Sequence, residues 1–333
     1  MGSAMGDHAS RAEALIASRA VGIVGLGNVG TAAAYALFAR HTVSELVLVD
    51  HDAKRAEGEA MDLAHGQSFA GRIRVRAGGY PDLARAEVII VAAGVAQKPG
   101  ETRLDLLNRN ASVFREIASE LDRYAPNAVL VVATNPVDVL TYVLQELTLR
   151  PRNRVLGTGT MLDTARLRER LGEHFDVSPK SVHAYVLGEH GDSEVAIWSN
   201  ATLGGCALRG TTLRGKALDR AGEAQMLDDV RRAAYRIIER KGYTNLAIGL
   251  VLARLVELVV DDQKAIVPVS VRVRGEYGID GVCLSVPAVV GKDGVEEIVP
   301  PALDDDELSS LRRSADVLRE SLRGIELPPP RHA

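Results

Sequence analysis

From residue 20 onward, short apolar runs rich in Val, Ile and Leu alternate with longer stretches whose apolar positions recur every three or four residues. The short runs at 21–24, 45–49, 73–76, 88–92 and 128–133 read as strands, because β-branched residues dominate them and polar or glycine-containing segments bound them. Between several of these runs, 29–40, 53–65 and 104–124 carry helical periodicity. Repeated strand–helix–strand order predicts a parallel sheet with helices on both faces, a doubly wound α/β domain.

The pattern changes after about residue 150. A helix over 162–175 precedes a strand at 182–187, and long helical stretches follow at 214–241 and 246–260. Val-rich extended segments at 265–274 and 281–290 come next, with Lys292, Asp293 and Gly294 as a hairpin turn. An amphipathic helix over 305–323 and a Pro-rich tail close the chain. This half predicts an α+β unit. The expected organisation is therefore 20–150 as the doubly wound domain and 151–325 as a second domain. Residues 1–19 are a leader or short arm, and 326–333 a tail.

Composition narrows the function classes. The chain has 333 residues, 46% apolar and 25% charged, as expected of a globular enzyme, and only 4% aromatic, so its core must be built from Ala, Val, Leu and Ile. The net charge of −4 has no basic stripe, which argues against nucleic acid and membrane surfaces as partners. Cys206 and Cys283 are far apart and form neither a disulfide framework nor a metal-ligand spacing, which fits a reducing cytoplasm. No apolar run reaches the roughly 18 residues needed to cross a bilayer. The best candidate, 246–260, carries Arg254 and Glu257.

Gly25, Leu26, Gly27, Asn28, Val29 and Gly30 follow the first strand and open the first helix. In this spacing the first glycine permits a tight turn, the second lets a pyrophosphate approach the backbone, and the third lets helix and strand pack closely. The helix N-terminus adds free N–H groups and a positive dipole end. Asp50 ends the second strand, where a carboxylate would accept the ribose hydroxyls and repel a 2′-phosphate, favouring NAD over NADP. A plain glycine turn and a helix-capping Asp are the alternatives, and His51 beside it has no assignable role.

Five further segments carry chemistry: GVAQKPGETR at 94–103, TNPVD at 134–138, LDTAR at 162–166, GEHGDS at 188–193 and KGYTNLAIG at 241–249. With the glycine motif, and in this order, they resemble the NAD-dependent L-lactate/L-malate dehydrogenase family over about 21–322. The resemblance implies a Rossmann domain followed by an α+β catalytic domain, with hydride transfer between NAD and a small 2-hydroxy acid. Oxidising such an acid removes a proton and a hydride, and a histidine titrating near neutrality suits the proton. The family pattern places that role on His190, with Asp163 fixing its tautomer and stabilising the imidazolium. A structural histidine and an N-terminal helix cap are the bland readings of these two residues.

Three residues along the same helix, Arg166 matches the arginine that clamps the substrate carboxylate in a two-pronged fork, which lysine cannot imitate. Its plain alternative is an intrahelical ion pair with Asp163. Resemblance further implies that Arg103 swings in with a closing loop to polarise the substrate oxygen, Gly94 and Gly100 acting as hinges. Asn135 would bond the same oxygen and the nicotinamide side. Thr244 would line the side-chain pocket, Ile248 the nicotinamide face, and Ala93 and Gly94 the cofactor. Gln97 is the discriminating position: relatives acting on malate carry arginine there to meet a second carboxylate, so glutamine implies pyruvate and L-lactate. Lys98 is read as solvent-facing, and Leu246 stands where many relatives have an aromatic residue.

Arg168 and His183 match positions that bind fructose 1,6-bisphosphate across a subunit interface in bacterial relatives; two ordinary surface cations are the alternative. The family also implies a homo-oligomer, a tetramer or at least a dimer. Rival readings are a malate dehydrogenase, opposed by Gln97, a broader L-2-hydroxyacid dehydrogenase taking a wider 2-keto acid, which the sequence leaves open because it does not give the pocket volume, and a recruited non-enzymatic scaffold, opposed by the presence of His190, Asp163 and Arg103. A short-chain reductase needs a Tyr-x-x-x-Lys pair, but Glu146 follows Tyr142 and Glu239 follows Tyr235 at that spacing.

Overall fold

A computed structural model of the chain describes residues 19–95 and 100–327. Six strands, β1 (Ala20–Val24), β2 (Glu45–Val49), β3 (Arg74–Ala77), β4 (Ala86–Val91), β5 (Val129–Val132) and β6 (Val155–Gly157), pair in parallel in the order 3-2-1-4-5-6. That order reverses beside β1, and the crevice outside the strand C-termini at such a reversal is where dinucleotides bind. The strands are apolar on both faces because helices cover both: β4 and β5 hold seven residues with no exposed surface.

Helices α1 (Asn28–Arg40), α2 (Ala53–His65), the one-turn α3 (Gln67–Ala70), α4 (Arg103–Tyr124) and α5 (Val137–Leu147) belong to this half. Their starts follow capping chemistry. Asp52 accepts the N–H groups of Lys54 and Arg55 to begin α2, and Thr102 and Asp105 form a reciprocal capping box for α4. Helix α5 was not expected: ten of its eleven residues are buried, and Asp138, Thr141, Gln145 and Glu146 interrupt its apolar run although they too are covered.

The second half contains β7 (Val182–Leu187), β8 (Val195–Leu203), β9 (Cys206–Ala207), β10 (Ala265–Arg274), β11 (Asp280–Gly291) and β12 (Gly294–Ile298), with helices α6 (Met161–Phe175), α7 (Arg220–Lys241), α8 (Leu246–Val260) and α9 (Asp305–Leu322). It does not form a wholly separate unit. Strands β10 to β12 extend the parallel sheet in antiparallel fashion beyond β6, through the Ser270–Gly157 pairing, so one nine-stranded sheet runs through both halves. Only β7, β8 and β9 make a sheet of their own, packed on α6 around Leu167, Leu171, Phe175, Val186 and Trp198.

The expected helix over 214–241 is shorter than its pattern: it starts at Arg220, where the Asp219 side chain accepts the Gly222 N–H, while Leu213 and Lys216 pair in a turn. Strand β8 was not anticipated, since Ser199 and Asn200 interrupt its apolar run. Glu307, in the first turn of α9, accepts the N–H groups of Trp198 and Ser199 and so ties the small sheet to the last helix. The turn at Lys292 and Asp293 joins β11 to β12, with Gly294 at φ 87°.

Candidate active site

The first loop is shaped by what its glycines lack. Gly25 has φ 97°, and a Cβ there would run into the backbone of Ala93 at the end of β4. A Cβ on Gly30 would overlap the Gly25 carbonyl oxygen, so this glycine lets α1 seat against the turn. Gly27, by contrast, faces open space and caps α1 with no side chain of its own. An exposed helix N-terminus flanked by glycine backbone is a cradle for phosphate. Asn28 is exposed and Val29 half-buried at the mouth of that cradle.

Asp50, at the end of β2, holds the turn: its carboxylate accepts the Leu26 N–H at 2.6 Å and the Asp52 N–H at 3.0 Å, and pairs with His51 Nδ1 at 2.8 Å. Burial pushes this carboxyl's pKa up, but the two backbone donors, His51 and Arg55 outweigh it and leave it below the ordinary aspartate range. His51 thus has a partner, although at 97% exposure the pair contributes little. Across the crevice, the Thr134 hydroxyl donates to the Ala93 carbonyl at 2.7 Å, and Gly94 packs where a Cβ would strike the Thr134 methyl. Asn135 follows, exposed and joined to Pro136 by a cis peptide. Ile248 packs half-buried on the main core, one residue from Gly249, whose lack of a Cβ lets α8 touch Ala32 of α1. The residues present fit a dinucleotide: an open glycine cradle, a helix end, and a buried carboxylate beside the loop.

The second cluster gathers side chains from distant segments. Thr160 caps α6, which puts Asp163 in its first turn rather than at its cap. The nearly buried Asp163 carboxylate receives Arg166 Nη1 at 2.7 Å on one oxygen and His190 Nδ1 at 2.6 Å on the other. The intrahelical ion pair and the imidazole partnership are therefore both present, on separate oxygens. His190 lies in the loop after β7, which is pinned at its start: Gly188, at φ 92°, exchanges backbone hydrogen bonds with Ser285 of β11. The His190 N–H donates to Asp138 Oδ2 at 2.7 Å, and the Glu189 N–H to Ser314 Oγ at 2.8 Å. Asp138 is fully enclosed, with the buried Ser270 hydroxyl beside its carboxylate. A cavity of about 350 Å³ opens here, lined by Asn135, Asp163, Arg166, His190, Glu194 and Arg231 among others.

Burial pulls the His190 pKa down, but the charge and hydrogen bond of Asp163, with the charges of Asp138 and Glu194, raise it to about 9. Asp163 is held below the usual carboxylate range by His190 and Arg166 despite its burial. Burial lifts Asp138 to about 6, offset in part by its hydrogen bonds and by His190. An imidazolium with its Nδ1 locked onto a carboxylate leaves Nε2 to exchange a proton with a ligand in the cavity.

Not every expected residue joins this cavity. Thr244 lies half-buried in the loop between α7 and α8 and is not among the lining residues, and Leu246 is 67% exposed. Arg103 is the first residue of α4, and Gln97 and Lys98 lie outside the described residues. Gly100, one of the two expected hinges, has φ 79° with free space around it. On α6, Arg168 Nε donates to the Ala184 carbonyl of β7 at 3.0 Å and its guanidinium lies over Tyr185, while His183 on β7 is exposed. Sequence reasoning missed Asp138, Glu194 and Arg231. The first stands inside the TNPVD segment and the second directly follows GEHGDS, so proximity to those motifs was the available signal.

A lactate/malate dehydrogenase NAD-binding-domain model matches residues 19–157, and a lactate/malate dehydrogenase α/β C-terminal-domain model matches 160–326. The chain belongs to the lactate/malate dehydrogenase family. Among its relatives, the L-lactate dehydrogenase of Salinibacter ruber is 59% identical over 308 residues, covering 92% of this chain and 98% of that protein. The L-lactate dehydrogenase of Thermus aquaticus is 50% identical over 90% of this chain and 97% of its own. A minor L-lactate dehydrogenase from Enterococcus mundtii, solved with ligands bound, superposes with a TM-score of 0.90 at 40% identity, covering 93% of this chain and 99% of that one. This family member is an NAD-dependent oxidoreductase. No described helix is long and apolar enough to cross a membrane.

Proposed function

We propose that the chain catalyses the reversible reduction of pyruvate to L-lactate, with His190 as the acid and base. The observation that carries this reading is the unbroken linkage Arg166–Asp163–His190 on the cavity wall, at 2.7 and 2.6 Å. NADH, when bound in the glycine cradle, supplies the hydride. Arg166 orients the substrate by its carboxylate, and Asn135 and Arg103 meet the keto oxygen. His190, charged at neutral pH, gives its Nε2 proton to that oxygen as the alcohol forms, and Asp163 holds the ring in place throughout. Oxidation of lactate runs the same proton back onto neutral His190. Gln97 favours pyruvate over oxaloacetate in this reading.

Replacing His190 with Ala is expected to lower turnover by about 10²–10⁴-fold, the usual worth of a placed acid or base, while NADH affinity measured by fluorescence titration stays within about two-fold. Turnover that survives the substitution removes His190 from the role. Residues 20–150 are assigned to nucleotide binding and 151–325 to catalysis, a division supported by the two family-model spans. The chain is proposed to act in the cytoplasm as a homo-oligomer, in line with large apolar side chains left in solvent, such as Tyr35 on α1, Met61 on α2 and Leu250 on α8. Arg168 and His183 are proposed to bind fructose 1,6-bisphosphate at a subunit interface, a reading supported by the bond of Arg168 to the carbonyl of Ala184, the residue after His183.

A further inference from the structure

The reaction assigned above uses Asp163 and His190 but leaves Glu194, immediately before β8, unexplained. Glu194 is 2% exposed, its Oε1 has no hydrogen-bond partner, and it lines the same cavity as His190 and Arg166. Carboxylate oxygens of Glu194 and Asp163 and a ring nitrogen of His190 all lie within 4.8 Å of one another. A buried carboxyl without a hydrogen-bond partner is costly, and sites with this arrangement of acids around one base are where proton affinities are set.

We propose that Glu194 is a positioning residue that retains the proton on His190, its carboxyl forming with Asp163 and Asp138 a three-sided acidic cage around the imidazole. The inference rests on the reading of His190 as the proton donor. Among the described residues, Asp163 and Arg166 face the cage from α6, Arg231 and Tyr235 from α7 and Asp138 from α5, while Glu189 and Asp192 lie in the histidine's own loop, Asp192 accepting the Tyr235 hydroxyl at 3.2 Å. Arg231 does not neutralise Glu194 by a side-chain bond. Its guanidinium donates instead to the Glu194 backbone carbonyl, and its Nε is left without a partner.

Burial and the charge of Asp163 push Glu194 up to about 9, against the pull of His190, Arg231 and Arg166. Glu194 and His190 therefore lose their protons over the same range, and such neighbours titrate as one system. As Glu194 becomes negative it holds the imidazolium's proton more firmly, so its presence extends the charged form of His190 to higher pH. The carboxyl is thus a buffer against alkaline loss of pyruvate reduction rather than a participant in bond making.

The test is the pH dependence of kcat/KM for pyruvate with NADH, and for lactate with NAD, in the wild-type protein and in Glu194→Gln and Glu194→Asp. For Glu194→Gln the alkaline fall of pyruvate reduction is expected to begin about half to one pH unit lower, a loss of roughly three- to ten-fold at a pH on that limb beyond any loss on the plateau. The rise of lactate oxidation should move down by the same amount, and Glu194→Asp should return both towards wild type. Limbs that superimpose on wild type, with a loss equal at every pH, would mean a merely structural role and overturn the inference. Should Glu194→Gln fail to fold, Glu194→Met, which keeps the length of the side chain and removes its carboxyl, is read in the same way, and a limb that superimposes on wild type refutes the proposal. Activity persisting in His190→Ala removes the underlying reading. Activity lost there, with an unmoved limb in the Glu194 variants, removes only this inference.

Discussion

The two ends of the crevice are built by different means. At the nucleotide end, backbone does most of the work: Gly25, Gly27 and Gly30 shape a turn by lacking side chains, and Asp50 fastens it through the Leu26 N–H. All of these lie within 26 residues of one another. At the catalytic end, side chains from four separate segments converge: Asp138 on α5, Asp163 and Arg166 on α6, His190 in the β7–β8 connection and Arg231 on α7. A backbone-built site is specified locally and tolerates little change in the residues that make it. A side-chain-built site is specified by the fold, so its members can be removed one at a time with the rest left standing. The two ends should therefore fail in different ways.

The largest separation is expected for Asp163→Asn, which removes the carboxylate that fixes the His190 tautomer. Turnover should fall by about 10²–10⁴-fold with NADH affinity nearly unchanged, measured by steady-state kinetics beside fluorescence titration. The opposite pattern is expected for Gly30→Val. Its Cβ overlaps the Gly25 carbonyl oxygen, so the turn must move, and NADH affinity should fall at least about ten-fold with stability lower by about 1–3 kcal/mol in thermal unfolding. If Gly30→Val leaves NADH affinity untouched, the glycine loop is not the nucleotide cradle.

A smaller effect sharpens the catalytic side alone. Because the pKa of His190 is raised to about 9, its charged form persists through neutrality, and pyruvate reduction should stay level to about pH 8 and decline above about pH 9. Lactate oxidation, which needs the neutral ring, should rise over the same interval. A decline centred near the ordinary histidine range of about 6.5 would show that Asp163 does not hold the proton as the geometry requires.

How much of this was readable from the chain follows the same division. The strands of the parallel sheet, the glycine turn and Asp50 were legible because each depends on residues close in sequence. The paired roles of Asp163 and His190 were legible only through motif resemblance, since 27 positions separate them and no local period links them. Asp138 and Glu194 escaped notice because a buried carboxyl has no signature of its own in sequence: its meaning comes from the partners that folding brings to it. Helix α5 escaped for a related reason, because its polar Asp138, Thr141, Gln145 and Glu146 are buried together with its apolar residues. The extension of the sheet by β10 to β12 is equally non-local, fixed by one pairing between Ser270 and Gly157.

The central claim, that this crevice reduces pyruvate with His190 and Arg166 on one wall, is tested most directly by kcat/KM with NADH for pyruvate and for oxaloacetate on the full chain. The account predicts a preference for pyruvate of at least about 100-fold, because a second carboxylate would enter the cavity without a cation at position 97 to meet it. A preference for oxaloacetate would contradict it, leaving the fold, the cofactor cradle and the Asp163–His190 pair in place while assigning them to the other acid.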